Sequence, residues 1–212
     1  MSHAIPMPAS LAWRTLGVPR RGVDLVHIAP RIPGFRVLRE LGTGRRSSAW
    51  LAQDESSGAE VALKLQPADG SMLHREWEIG SQFADAHVLR VHDHGRAGPW
   101  AWLSMDYLPG GDLARHLQTS VAPAQALAWM EQAARGLAEV HRRGCVHRDV
   151  KPANFLLRAH GELVLADFGL TVRAGTVAGG LGQGRITGTP RYVAPEQLQG
   201  EAATPAADVY SL

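Results

Sequence analysis

The chain has 212 residues, of which 45% are hydrophobic and 20% charged, a composition typical of a folded globular protein rather than a disordered or fibrous one. Its formal net charge is only +2, and the region before residue 33 alone carries +3. Because the remainder shows no basic face interleaved with aromatic residues, the sequence indicates no nucleic-acid partner.

Cysteine content and hydropathy bear on the compartment. Cys145 is the only cysteine, so no disulfide forms within the chain, which is typical of a reducing compartment. No apolar run is long enough to span a bilayer, and the first residues lack the pattern of a secretory signal. The sequence therefore predicts a cytoplasmic protein without a membrane span.

Residues 1–32 are predicted to be a leader, a partly ordered arm. They carry repeated prolines and no sustained apolar period. The arginines of this arm leave docking to a partner or to acidic lipid open, beside the plainer interpretation of a solvated charge run.

From residue 33 the pattern favours strands. Five runs with branched and aromatic residues, separated by turn-rich stretches, surround a predicted helix over 72–83. The runs are FRVLREL, AWLAQ, EVALKL, HVLRVHDHG and WAWLSMDYL. Residues 33–108 are therefore predicted to form a five-stranded antiparallel sheet with one helix.

After residues 109–111, Pro-Gly-Gly, the pattern becomes helical. An amphipathic helix is predicted over 123–143, and its core-facing residues are expected to be Leu127, Met130, Ala134, Leu137 and His141. The glycine-rich stretch 174–188 holds no core and is predicted to be mobile unless something pins it.

Residues suited to a phosphate site are spread over these elements. The turn 42–44, Gly-Thr-Gly, lets backbone amides approach closely, and Lys64 is a cation at the end of a strand, where Glu76 is placed to hold it. Asn154 and Asp167 supply hard oxygen atoms of the kind that magnesium prefers. Two further polar residues, Asp149 and Lys151, lie beside Asn154 in the sequence.

The ordered set of motifs resembles the eukaryotic-like serine/threonine protein kinases of bacteria over about residues 33–212. The motifs are VALK (61–64), HRDVKPAN (147–154), DFG (167–169) and GTPRYVAPE (188–196). The resemblance implies an α+β, two-lobed fold with ATP and Mg²⁺ between the lobes. The N-lobe and hinge would be 33–108, and a mainly helical, incomplete C-lobe would be 109–212.

The resemblance also implies a role for each site residue. Asp149 accepts or orients the substrate hydroxyl proton, Lys151 meets the γ-phosphate, Lys64 contacts the α- and β-phosphates, and the metal ligands are Asn154 and Asp167. The nucleotide is expected to contact the turn of Gly42, Thr43 and Gly44, the apolar residues Ala62, Met105 and Leu156, the hinge from Asp106 to Leu108, and, at the ribose, Asp112.

Substrate class and regulation follow from the same resemblance. Lys151 and the Gly-Thr-Pro of 188–190 are typical of kinases that act on serine or threonine of proteins. Arg148 before the catalytic Asp is typical of kinases switched by a phosphate on the activation loop. The candidate phosphate acceptors are Thr187 and Thr176, with Thr171 after them, and autophosphorylation on Thr187 is predicted to order the glycine-rich segment.

Two histidine motifs have ordinary structural interpretations. His147 is expected to be a packed residue rather than a general base, because in the family this position joins an internal apolar spine. His92 and His94 are expected on one strand face, where they suggest a metal site, but no third ligand is evident.

Several positions depart from the family pattern. Ser47 replaces a glycine of the phosphate turn, Ala49 replaces the valine that covers adenine, and Gly80 stands where a larger apolar residue is usual. The sequence ends at what resembles the start of the central C-lobe helix, so a partner or missing segment is a candidate to complete the lobe.

The first hypothesis is a protein serine/threonine kinase that uses ATP and magnesium. The alternative is a truncated kinase-like module that binds nucleotide or a partner without efficient catalysis. A small-molecule phosphotransferase is disfavoured by GTPRYVAPE, and no GxxxxGK[ST] phosphate loop is present.

Overall fold

A computed structural model describes residues 30–44, 47–68, 72–177 and 189–212. Most of the predicted leader, Thr187 and most of the glycine-rich stretch lie outside these described residues. Within the described ranges, no helix has the length and apolar character needed to cross a membrane.

The N-terminal part is a five-stranded antiparallel sheet, as predicted, and its strand order is β1-β2-β3-β5-β4. Its strands are β1 (Phe35–Thr43), β2 (Ser48–Asp54), β3 (Glu60–Pro67), β4 (Val91–Ala97) and β5 (Trp100–Asp106). The fourth strand begins four residues later than the sequence pattern suggested. The reason is that 87–89 bonds to the C-terminal part instead: the amide of Leu89 donates to Leu165 O at 2.8 Å, and that of Leu165 donates to His87 O at 2.9 Å.

Helix α1 (Met72–Gly80) packs between this sheet and the cleft below it. The helix was predicted to reach residue 83 but ends at Gly80, where a turn begins in which the Phe83 amide donates to Gly80 O at 3.2 Å. Leu73 and Glu76 are buried on its inner face. The helix therefore presents a carboxylate toward the sheet.

The C-terminal part contains four helices and two small sheets in the described residues. The helices are α2 (Leu113–His116), α3 (Pro123–Arg142), α4 (Pro195–Leu198) and α5 (Pro205–Ser211). The strands are β6 (Cys145–Val146) paired with β9 (Val172–Arg173), and β7 (Phe155–Leu157) paired with β8 (Leu163–Leu165). Single 3-10 turns at Pro152–Asn154 and Phe168–Leu170 connect these pieces.

The buried face of α3 differs from the predicted one. Leu127 is 72% exposed and Met130 is 48% exposed, although both were expected to face the core. The residues that are buried are Trp129, Ala133, Gly136, Leu137, Glu139 and Val140. Only Leu137 is shared with the predicted set, because a tight contact rotates the helix: a Cβ on Gly136 would lie 2.6 Å from His87 O.

One apolar core runs through both parts. It includes Leu103 and Met105 from the sheet and Leu156 and Leu165 from the C-terminal part. The linker 87–89 is hydrogen-bonded to β8 and packed on α3. These links fix the relative position of the two parts and leave a cleft between them, lined by β2 and β3 on one side and β7 on the other.

Candidate active site

The cleft contains a cavity lined by side chains from both parts of the molecule. Its lining is mostly apolar and includes four polar side chains, those of Lys64, Glu76, Asn154 and Asp167. Seven of the predicted site residues line it: Ala62, Lys64, Glu76, Met105, Asn154, Leu156 and Asp167. The structure therefore brings together side chains that lie up to 105 positions apart in the sequence.

Lys64, Glu76 and Asp167 form a compact ionic triad at the back of the cleft. The Lys64 Nζ lies 2.8 Å from both carboxylate oxygens of Glu76 and 3.0 Å from Oδ1 of Asp167. The Lys64 and Glu76 side chains are only 10% and 4% exposed. Strand β3, helix α1 and the turn after β8 each supply one member, so the triad fixes α1 on the cleft.

Burial has the largest single effect on the pKa of each member of the triad, and it favours the neutral form of each group. For Lys64, the charges of Asp167 and Glu76 outweigh burial and raise the pKa of the ammonium above its ordinary value. The charge of Lys64 and its hydrogen bond hold the pKa of Asp167 below its ordinary value despite burial. Burial raises the pKa of Glu76, with the charge of Lys64 acting against it. At neutral pH the cation and the Asp167 carboxylate are therefore both charged.

Asp149 and its neighbours form a second polar group, which borders the cavity through the lining residue Asn154. Its Oδ2 accepts from Lys151 Nζ at 2.6 Å and from Asn154 Nδ2 at 2.9 Å, and Asn154 also donates to Asp149 O at 2.8 Å. Lys151 donates in addition to Thr189 Oγ1 at 3.0 Å. No described residue donates to Oδ1 of Asp149, so this oxygen is left to accept a proton or hydrogen bond from outside the chain.

Asp208 is a positioning residue that the sequence analysis did not identify. It is 1% exposed on α5, and its carboxylate accepts from the backbone amides of His147 and Arg148 and from His141 Nε2, each at 2.8 Å. Arg148 has φ 69°, a left-handed conformation that non-glycine residues seldom adopt. Asp208 therefore holds the strained turn that leads directly into Asp149.

The predicted phosphate turn lies where β1 meets β2. Gly42 pairs with Ala49 and Thr43 pairs with Ser48, while the Gly44 amide donates to Ser47 O at 2.7 Å. Ala49, one of the positions that depart from the family pattern, also lines the cavity.

The adenine-side residues divide into cavity wall and hinge. Ala62 and Leu156 lie on opposite walls, and Met105 lies among the lining residues on β5. The hinge 106–108 directly follows the lining residue Met105, and no described residue accepts a hydrogen bond from the Leu108 amide.

Asp112 has a structural contact that was not predicted. It caps α2, and its Oδ1 accepts from the Arg115 amide at 3.0 Å. The residue is 1% exposed, and Oδ2 has no hydrogen-bond partner among the described residues. Burial raises the pKa of this carboxyl. The second oxygen is therefore free to accept from a ligand that reaches it.

His147 is packed, as predicted. It is fully buried, its Nε2 lies 3.0 Å from Ala166 O, and its ring meets Phe168 edge to face at 5.7 Å. His92 and His94, expected on one strand face, make different contacts, because an irregularity in β4 between Val91 and His94 interrupts the alternation. His92 bonds to Asp106, and His94 bonds to His74 on α1.

Gly80 fits its surroundings and leaves no hole in the spine. A Cβ at this position would lie 2.7 Å from Val91 Cγ2 and 3.2 Å from Phe168 Cδ2. Phe168 also contacts Phe83, with ring centroids 5.1 Å apart. The space that a larger residue fills in the family pattern is therefore occupied here by Val91 and the two phenylalanines.

Gly80→Ala is expected to destabilise the fold by about 1–2 kcal/mol, because the overpacking cost exceeds the gain in helix propensity. Urea denaturation of the variant measures the loss. Val91→Ala removes the methyl group that the added Cβ would meet. Gly80→Ala is therefore expected to cost less free energy of unfolding in the Val91→Ala background than in the unmodified chain. Equal losses in both backgrounds would show that the Val91 contact is not the cause.

Comparison with known proteins identifies the family to which the chain belongs. A family model described as "Protein kinase domain" matches residues 35–212. The chain is 38% identical over 194 residues to "Serine/threonine-protein kinases drp72" of Corynebacterium efficiens, an alignment that covers 85% of this chain and 37% of that protein.

Two further relatives are similar over nearly the same share of this chain. "Serine/threonine-protein kinases PknA" of Corynebacterium glutamicum is 35% identical over 84% of this chain and 41% of its own length. "Serine/threonine-protein kinase PknD" of Mycobacterium tuberculosis is 33% identical over 84% of this chain and 28% of its own length. The chain thus spans less than half the length of each of these three relatives.

Proposed function

Since the chain belongs to the protein kinase family, we propose that it is a serine/threonine kinase that transfers the γ-phosphate of ATP to hydroxyl groups of proteins. In this proposal, residues 33–108 are the N-lobe and hinge, and residues 109–212 belong to the C-lobe. The observation that carries it is the convergence of the Lys64–Glu76–Asp167 triad and the Asp149 group on one cleft.

The apolar end of the cleft suits adenine. Ala62 and Leu156 supply flat apolar walls, and the Leu108 amide is a hydrogen-bond donor without an acceptor in the described residues. The unpartnered Oδ2 of Asp112 suits a ribose hydroxyl. These groups support the predicted orientation of the nucleotide, with its phosphates toward Lys64.

The donor set at the phosphate end suits a hard cation that keeps other ligands. Asp167 supplies one carboxylate, and Asn154 directs its amide nitrogen to Asp149, which leaves its Oδ1 as an acceptor. The described residues contain no group of three or more His, Cys, Asp or Glu placed to hold a metal. One carboxylate and one amide oxygen beside phosphates fit Mg²⁺, which prefers such mixed coordination with water. When bound, the metal ion neutralises phosphate charge.

The chain's own groups then perform distinct tasks. Lys64 holds the inner phosphates, and Glu76 keeps the ammonium in place. Asp149 Oδ1 accepts the proton of the substrate hydroxyl as the hydroxyl oxygen bonds to the γ-phosphorus and the bond to the bridging oxygen breaks. Lys151, between Asp149 and Thr189, is placed to meet the charge of the transferring group.

The second candidate is a kinase-like module that binds nucleotide or a partner without efficient catalysis. The exposed apolar side chains of Leu117, Leu127 and Met130 favour it, because a surface of this kind commonly contacts another segment or protein. The two candidates differ in one measurable property, phosphate transfer.

The proposal is tested by incubating the 212-residue chain with γ-labelled ATP and a generic basic protein. Label is expected on the acceptor and on the chain itself with magnesium, and chelation of the metal is expected to abolish both. Mass spectrometry then locates the label, for which the predicted acceptor is Thr187, outside the described residues. Nucleotide binding without transfer under any metal condition would favour the second candidate.

The surroundings of Arg148 suit a phosphate on such a threonine. Burial and the neighbouring charge of Arg75 lower the pKa of the Arg148 guanidinium from its ordinary value, and Asp208 opposes this change. Two close cations of this kind are relieved by an added anion. Absence of phosphate between residues 171 and 189 in an active preparation would contradict this regulatory proposal.

A further inference from the structure

The carboxylate of Asp106 is a junction between the two parts of the molecule. Its Oδ1 lies 2.9 Å from Nε2 of His92 on β4, and its Oδ2 lies 3.9 Å from NH1 of Arg158, the residue that follows β7. Asp106 itself ends β5 and begins the hinge. A side chain from the sheet and a side chain from the C-terminal part therefore meet at one hinge residue.

Arg158 is fixed to more than this carboxylate. Its NH2 donates to Ala86 O at 3.3 Å, in the linker between α1 and β4. Its backbone amide donates to Glu162 O at 2.9 Å, which closes the β7–β8 turn, and its Nε lies 3.9 Å from Glu162 Oε2. The guanidinium thus spans the hinge and the linker from a turn that is itself tied down.

The charge state of Asp106 suits this role. The hydrogen bond from His92 is the main cause that lowers the pKa of the carboxyl, and the positive charges of Arg158 and Arg90 add to it, while burial acts in the opposite direction. The side chains of His92, Asp106 and Arg158 are 34%, 28% and 32% exposed, so solvent screens the group only partly.

We propose that His92, Asp106 and Arg158 form a clasp that holds the hinge in its nucleotide-binding conformation, and that His92 and Arg158 are positioning residues for nucleotide affinity. The clasp lies two residues from the Leu108 amide, the donor assigned to adenine. It is formed in the same structure in which Lys64 pairs with Glu76, so it belongs to the assembled state of the cleft. The inference rests on the proposed function, because it assumes that the cleft binds a nucleotide.

The reason for an effect on affinity is the geometry of the hinge. A hinge that samples several conformations binds more weakly, in proportion to the fraction of time it spends in the competent one. Opposite charges held from both parts reduce that sampling. Removing one of them is expected to weaken binding, with little change in the rate once the site is saturated.

Arg158→Gln is the primary test, with the dissociation constant of ADP and magnesium measured by calorimetry on the whole chain. We expect binding to weaken by about threefold to tenfold, the range for a partly screened ion pair with a second hydrogen bond. Arg158→Lys keeps the charge, and its dissociation constant for ADP is expected to lie between those of the unmodified chain and of Arg158→Gln. Hydrogen exchange of the hinge amides 106–108 in the nucleotide-free chain is expected to be faster in Arg158→Gln.

Arg135→Gln is the matched control, because it removes the arginine of another surface ion pair, with Glu131 on α3, away from the hinge. It is expected to leave both readouts unchanged. A double variant with Asp106→Asn tests the pairing: after Asp106→Asn, loss of Arg158 is expected to have a smaller effect than in the unmodified chain.

The outcomes separate this inference from the proposed function. If the unmodified chain binds ADP and Arg158→Gln binds as tightly or more tightly, the inference is overturned alone. Unchanged hydrogen exchange of the hinge amides 106–108 overturns it as well. An unmodified chain that binds no ADP overturns the proposed function, and the inference falls with it.

Discussion

Asp149→Asn is expected to lower the rate of phosphate transfer by about 10²- to 10⁴-fold while the fold and nucleotide binding persist. The substitution keeps the shape of the side chain and replaces an oxygen that accepts a proton by an amide that does not. The initial rate of transfer from γ-labelled ATP at saturating nucleotide measures the loss, and calorimetry with ADP measures whether binding is retained.

The contacts of Asp149 explain why the effect falls on the rate. Lys151 and Asn154 both donate to Oδ2, so that oxygen orients the carboxylate, and Oδ1 is the atom available to substrate. An asparagine retains one oxygen for these donors and presents its NH₂ group toward the substrate hydroxyl. The nucleotide contacts assigned to Lys64, Asp167 and the hinge do not involve this side chain.

Asp54→Asn provides a matched control. Asp54 accepts from the amides of Ser56 and Ser57 in the turn between β2 and β3, and it is remote from the catalytic loop. The same chemical change is expected to leave transfer unaltered there. If Asp149→Asn transferred phosphate at the rate of the unmodified chain, the assignment of Asp149 as the proton acceptor would be wrong.

The sequence predicted those parts of the site in which short motifs carry both the residues and their geometry. HRDVKPAN places Asp149, Lys151 and Asn154 within six positions, and the 3-10 turn at Pro152–Asn154 lets the asparagine reach back to the aspartate. The run EVALKL was also predicted as a strand, and Lys64 lies in that strand, β3, which continues three residues beyond the lysine to Pro67. Such relations depend on a few bonds, so local pattern is sufficient to anticipate them.

Relations between distant residues could not be read from local pattern. Asp208 lies 59 positions after Asp149, and nothing near it in the sequence indicates that its oxygens bind the amides of the catalytic loop. The hydrophobic period of α3 was correct as a helix signal and wrong as a burial signal. The helix rotation depends on the close approach of Gly136 to His87 O, which is a tertiary contact.

The departures from the family pattern show the same limit. Gly80 departs from the family pattern, in which a larger apolar residue is usual, and the sequence alone shows only that glycine is a poor helix former. In the structure, the missing side chain makes room for Val91 and Phe168. Similarly, the alternation of His92 and His94 was interrupted by an irregularity in β4, which directs one toward the hinge and the other toward α1.

Asp208→Ala is expected to be the most destabilising of these substitutions, by about 3–5 kcal/mol, because it leaves buried donors without their acceptor. The amides of His147 and Arg148 lose their partner, and the left-handed conformation of Arg148 loses the bonds that hold it. Urea denaturation measures the loss of stability. Asp208→Asn retains one acceptor oxygen, so its loss in free energy of unfolding is expected to be about half that of Asp208→Ala.

Two variants show whether Asp208 positions the catalytic loop or only stabilises the fold. His141→Ala removes one of the three donors to Asp208 and leaves both backbone bonds, so it is expected to lower stability by about 1 kcal/mol without changing the transfer rate of the folded fraction. Asp208→Asn, measured where it is fully folded, is expected to lower that rate, because Asp149 follows the turn it holds. A folded Asp208→Asn with an unchanged rate would show that the turn keeps its geometry without the carboxylate. In that case the bonds within the catalytic loop, from Lys151 and Asn154 to Asp149, would be sufficient to orient the proton acceptor.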